Sequence, residues 1–103
     1  MTEKIIAEVS IDLEPLIPRY LDRRNKEIEQ FRALLTTGDF EALRIGGHSL
    51  KGSGGGYGFP DLSRIGAVIE TAAKASDGSV IEAALAEYAD YLQRVEVVFV
   101  EDC

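Results

Sequence analysis

Gly46-Gly47-His48-Ser49-Leu50-Lys51-Gly52-Ser53-Gly54-Gly55-Gly56-Tyr57-Gly58 is the stretch on which the fold turns. It contains the only histidine of the 103 residues and seven of the ten glycines. A glycine run of this kind reads either as a loop or as a helix with its side chains removed. Phe40, Leu43, Gly47, Leu50, Gly54 and Tyr57 recur at steps of three and four, which places them on one side of a helix. The pattern predicts a helix from Asp39 to at least about Gly54, with Gly47 and Gly54 letting a neighbouring helix approach closely. Each interior glycine costs about 1 kcal/mol relative to alanine, so those at 52, 54, 55 and 56 cost on the order of 4 kcal/mol. A surface free to choose alanine does not carry that cost, so either the helix ends here or the bare face leaves room for something to dock.

His48 falls about 130° from the centre of the apolar side and faces solvent. Arg44 lies one turn before it. Lys51 and Gly52 lie one turn after, and Gly55 two turns after. An exposed neutral imidazole is a nucleophile near pH 7. Lys51 can offset the charge of a phosphoryl group placed on it, and Gly52 leaves space for that group. Other chemistries fit worse. Ser53 stands where a P-loop requires lysine. Lys51 stands where a nucleophile elbow requires glycine. Metal binding lacks partners, with one histidine and no interior cysteine. A hydrolytic triad lacks a carboxylate fixed beside His48.

The rest of the chain frames this helix. A length of 103 residues suits one domain with a single core. No apolar run reaches membrane-spanning length, and no signal-peptide core is apparent at the N-terminus, so a cytoplasmic protein is expected. The net charge of −7 argues against nucleic acid as a partner. Cys103 reads as an incidental terminal residue. Residues 1–11 are expected to form an arm and 12–103 the folded unit. Asp12 is the expected cap of a short helix over about 13–17, with Leu13, Leu16 and Ile17 inward. Pro18 breaks it from a long helix reaching about Thr36. Gly38 and Asp39 end that helix and begin the next. Pro60 opens a helix with Leu62, Ile65, Val68, Ile69, Ala72 and Ala73 inward. A last helix, capped by Ser79, is expected from about Val80 to Phe99, its end packing against the arm. Short connections between amphipathic helices predict an all-α, antiparallel, up-down-up-down four-helix bundle with a short N-terminal helix and arm.

His48-Ser49-Leu50-Lys51-Gly52-Ser53 followed by Tyr57-Gly58 resembles the signature of histidine-containing phosphotransfer (HPt) domains, His-x-x-Lys-Gly-Ser/Ala and then an aromatic or aliphatic residue before glycine. Leu62, Ile65 and the Ile69-Glu70 pair resemble the family's next helix. Ser53-Gly54-Gly55-Gly56 departs from the family's usual Ser-Ser or Ser-Ala continuation. The resemblance implies a phosphorelay intermediate that accepts a phosphoryl group on His48 from a receiver-domain aspartate and passes it to another receiver. It also implies that Lys51 stabilises the phosphate and Gly52 gives access. The implied partners are response-regulator receivers and a hybrid sensor histidine kinase. The domain would have no ATP site and no cofactor of its own, the Mg²⁺ belonging to the receiver. Arg44, Ile45, Gly55 and Tyr57 are the expected docking rim. The alternatives are the phosphoacceptor domain of a chemotaxis-type kinase, a receiver-binding adaptor that does not transfer, and a bundle whose glycines serve packing alone.

Overall fold

The computed structural model describes residues 3–101, so the expectation for Cys103 lies outside the described residues. In chain order the elements are β1 (Ile5–Ser10), a 3₁₀ segment (Ile11–Leu16), α1 (Ile17–Thr37), α2 (Phe40–Gly56), α3 (Pro60–Lys74), α4 (Gly78–Arg94) and β2 (Val95–Val100). None of these helices is long and apolar enough to cross a membrane.

Local chemistry sets the helix ends. Pro18 sits in the first turn of α1, where its missing N–H costs nothing. Gly38 closes α1 in the left-handed region at φ 72°, its N–H bonded to the carbonyls of Leu34 and Leu35. Asp39 then caps α2 by accepting from the Ala42 N–H at 3.1 Å. Two caps differ from expectation. Ser10, not Asp12, caps the 3₁₀ segment, accepting from the Asp12 N–H. Asp77, not Ser79, caps α4, accepting from the Val80 N–H at 3.2 Å.

The chain is not all-α. The last helix stops at Arg94, and Val95 turns extended at φ −69°, ψ 133°. Val95-Glu96-Val97-Val98-Phe99-Val100 then pairs in parallel with Ile5–Ser10, from Ile5↔Val95 to Ser10↔Val100. Leu92, Val95 and Phe99 also fit a helical stripe, which is why a continuing helix is the sequence expectation. The run of β-branched residues favours the strand once a partner is available. That partner is the expected N-terminal arm, whose Ala7 and Val9 are buried. Glu96, Val98 and Val100 face outward.

The core is built from Leu43, Leu50, Phe59, Leu62, Ile65, Ile69, Ile81, Leu85 and Tyr88. Two residues expected inside are exposed: Leu16, on the 3₁₀ segment, and Val68, on the outer side of α3. Tyr88 reaches the partly buried Glu27 carboxylate, donating to it at 2.8 Å. Burial pushes the Glu27 carboxyl up, and the Tyr88 bond and the Arg24 charge act against that shift.

α2 and α3 meet backbone to backbone. A β-carbon on Gly47 would lie 2.7 Å from the Glu70 nitrogen and 2.9 Å from the Gly66 carbonyl oxygen. One on Gly54 would lie 2.6 Å from the Ser63 nitrogen. One on Gly66 would strike the Lys51 nitrogen and the Gly47 oxygen. Gly52 is different, with no atom within 4 Å of such a β-carbon. Alanine at position 66 is therefore expected to destabilise the fold by about 1–3 kcal/mol through overpacking. Alanine at position 52 is expected to leave stability unchanged or raise it by up to about 1 kcal/mol. Urea unfolding of the two variants checks this, and equal effects would contradict it.

Candidate functional site

The α2–α3 contact brings Glu70 of α3 to His48. The imidazole is 67% exposed, as the helical wheel predicts, yet it is not free. Its Nδ1 lies 2.8 Å from Glu70 Oε2. The other oxygen of the same carboxylate, Oε1, lies 2.8 Å from Lys51 Nζ. Glu70 therefore bridges the two side chains of the motif while its own side chain is only 9% exposed. The expectation that no carboxylate is fixed beside His48 is overturned. An ionised carboxylate only accepts, so Nδ1 carries the proton of this bond and Nε2 points away from it with a lone pair.

The Lys51 ammonium hydrogen-bonded to Glu70, helped by His48, holds the Glu70 carboxyl down to about 2 against partial desolvation. The carboxylate is thus charged throughout the range in which a histidine works, and it stays an acceptor.

The glycine-rich end of α2 remains helical to Gly56. A hydroxyl from α3 secures it. Ser63 Oγ donates to the Lys51 carbonyl at 2.6 Å and accepts from the Gly55 N–H at 2.7 Å. It thereby bridges a donor and an acceptor four residues apart on the helix. A β-carbon on Gly55 would come within 3.2 Å of that oxygen, so part of the reason for glycine here is room for Ser63.

The other expected site residues are distributed differently. Gly52 is exposed and open, immediately beside Lys51. Ile45 is 55% exposed on the outer side of α2. Arg44 is tied by two hydrogen bonds to Glu41, so it is not a free cation beside His48. Tyr57 does not stand out on the surface: its ring stacks on Tyr20 with centroids 4.2 Å apart. Ser53, the last residue of the motif, turns toward α1, its Oγ 3.0 Å from the Tyr20 hydroxyl.

Glu70 is the residue of the candidate site that the sequence reading passed over. Its signal is a carboxylate directly after Ile69 on the buried side of α3 and four residues after Gly66. A glutamate on the buried side of a helix needs a partner there, and Lys51 and His48 of α2 supply it, although Lys74 stands one turn away on its own helix.

The site thus consists of one exposed histidine on a helical bundle, a lysine one turn away and a largely buried carboxylate that contacts both. Residues 16–97 match the family model of the Hpt domain, and the chain belongs to that family. Hpt domains serve histidine phosphotransfer in two-component signalling, where they interact with receiver domains and kinases. The comparisons with curated proteins and with solved structures gave no match.

The Glu70 bridge has a pH signature. A carboxyl whose pKa is depressed in the folded state stabilises that state fully above its unfolded value, near 4.5, and loses the contribution as pH falls toward about 2. The Glu70 carboxyl carbon, followed by NMR, is expected to titrate near 2, and Lys51→Ala is expected to move that titration upward. Titration near 4.5 in the unmodified protein would contradict the bridge.

Proposed function

We propose that the chain is a phosphorelay intermediate in which His48 is the phosphoacceptor. The single observation carrying this reading is the Glu70 carboxylate that holds Nδ1 of an exposed imidazole and, through its other oxygen, the Lys51 ammonium. In the proposed step, the Nε2 lone pair attacks the phosphorus of an aspartyl phosphate on a receiver domain. The N–P bond forms, the P–O bond to the aspartate breaks, and the aspartate leaves as a carboxylate. The Nδ1–H stays on the ring. Glu70 stabilises the positive charge that develops there, as a carboxylate behind a histidine does in acyl transfer. Lys51 stands one helical turn from the imidazole, where its charge offsets that of the phosphoryl group. The reverse sequence delivers the group to a second receiver.

Gly52 acts as the access point, since its missing side chain leaves the surface beside Lys51 open. Ile45, Arg44 and Gly55 form the docking rim in this reading, with Tyr57 supporting it from beneath by its stack on Tyr20. The partners are receiver domains and a hybrid sensor kinase, meeting the domain in the cytoplasm. The Mg²⁺ of the reaction belongs to the receiver, and this chain contributes no cofactor. The up-down-up-down, antiparallel order is part of the proposal. It is supported by connections as short as Gly38-Asp39, Tyr57-Gly58-Phe59 and Ala75-Ser76-Asp77.

Incubation with phosphorylated receivers tests the assignment. An acid-labile, base-stable phosphate is expected on the protein, absent from His48→Gln. Glu70→Gln is expected to slow transfer by at least about 10²-fold while remaining folded. A His48→Gln protein that still accepts phosphate would sink the proposal. Phosphorylation by a chemotaxis-type kinase with ATP, and by no receiver, would favour the phosphoacceptor-domain alternative.

A further inference from the structure

On the side of α2 facing α1, a pocket of about 320 Å³ is lined by Arg19, Arg23 and Arg24 of α1, with Tyr20, Ser53 and Tyr57. Three of the chain's eleven basic residues converge there, in a protein of net charge −7. No acidic side chain lines the pocket. Among the described residues, Arg19 and Arg23 join no ion pair, whereas the five other arginines do.

The floor of the pocket is built rather than incidental. Arg24 is only 15% exposed, and its guanidinium lies 4.8 Å above the Tyr20 ring. One of its terminal nitrogens lies 3.4 Å from Ser53 Oγ, which also meets the Tyr20 hydroxyl at 3.0 Å. Tyr57 stacks on Tyr20, and Phe59 stacks on it in turn at 5.7 Å, so the aromatic wall is rigid. Glu27, 3.5 Å from Arg24 Nε, neutralises one of the three guanidinium charges and leaves two.

We infer that this pocket binds a small phosphate oxyanion, either inorganic phosphate or a phosphomonoester. Planar guanidinium forks match the oxygens of a tetrahedral oxyanion in pairs, and several converging forks favour a dianion over a single carboxylate. The volume lies at the lower end of the range for small-molecule pockets, roughly 300–1,000 Å³. Tyr20 already stacks on Tyr57 and on Phe59, so its ring serves as a wall. The site is separate from His48. Its α2 residues, Ser53 and Tyr57, turn toward α1, whereas His48 is held by Glu70 from α3.

The test is an NMR titration of the full chain with inorganic phosphate at fixed ionic strength, with O-phosphoserine and acetate in parallel. Saturable shifts are expected at the Arg24 Nε–H and at the Ser53 and Tyr57 amides, with a Kd of about 1 mM or tighter. Arg19→Ala and Arg23→Ala, both at exposed positions, are each expected to weaken binding about tenfold. Arg32→Ala, on a different stretch of α1, is expected to leave it unchanged. Tighter binding of O-phosphoserine identifies the ligand as an ester, and equal or weaker binding identifies it as inorganic phosphate. Shifts that stay linear, that acetate reproduces, or that survive both arginine substitutions would overturn the proposal. So would an unresponsive pocket whose arginine substitutions slow transfer from receivers, which would assign the patch to protein docking.

Discussion

Between α2 and α3 there is no room for a β-carbon at Gly47, Gly54 or Gly66. The two backbones touch, and that contact sets the distance across which Glu70 must reach. With alanine at Gly47, the added methyl would meet the Glu70 backbone itself. The carboxylate that now meets both His48 and Lys51 at 2.8 Å would be displaced with it. The glycines thus serve two ends. Those facing α3 bring the supporting residues close, and Gly52 and Gly56 leave the outer surface bare. The helix survives this dilution because Leu43 and Leu50 are fully buried and because Ser63 bonds it from α3.

The electrostatics follow from the same contact. A single carboxylate, largely withdrawn from water, stays ionised because a lysine and a histidine both bond to it. In return it fixes which imidazole nitrogen is available. Lys51 is held by the other oxygen, so in the proposed reaction an incoming phosphoryl group competes with Glu70 for the ammonium. The Nδ1 contact of the imidazole is preorganised, which is how a protein lowers the cost of developing charge.

Much of this was legible from residue spacing. The steps of three and four from Phe40 to Tyr57 place His48 outward and Gly47 and Gly54 inward, and the structure has them so. Gly38 and Asp39 mark a helix junction by chemistry alone. Less was legible where two elements had to meet. Val95 to Val100 satisfies both a helical and an alternating pattern, and only pairing with Ile5–Ser10 decides for the strand. Glu70 is an ordinary helical glutamate until α3 is laid against α2. Ser63 bonding into the α2 backbone is invisible for the same reason. Spacing puts Tyr57 on the apolar side of α2, yet its stacking partner, Tyr20, lies 37 positions earlier in the chain and is out of reach of any local pattern.

The central claim is that Glu70 holds Nδ1 and thereby makes Nε2 the reactive nitrogen. The most direct measurement is a long-range ¹H–¹⁵N NMR correlation of the His48 ring after phosphorylation, which distinguishes the two phosphohistidine isomers. The account predicts phosphate on Nε2, with Nδ1 protonated toward Glu70. Phosphate on Nδ1 would contradict it.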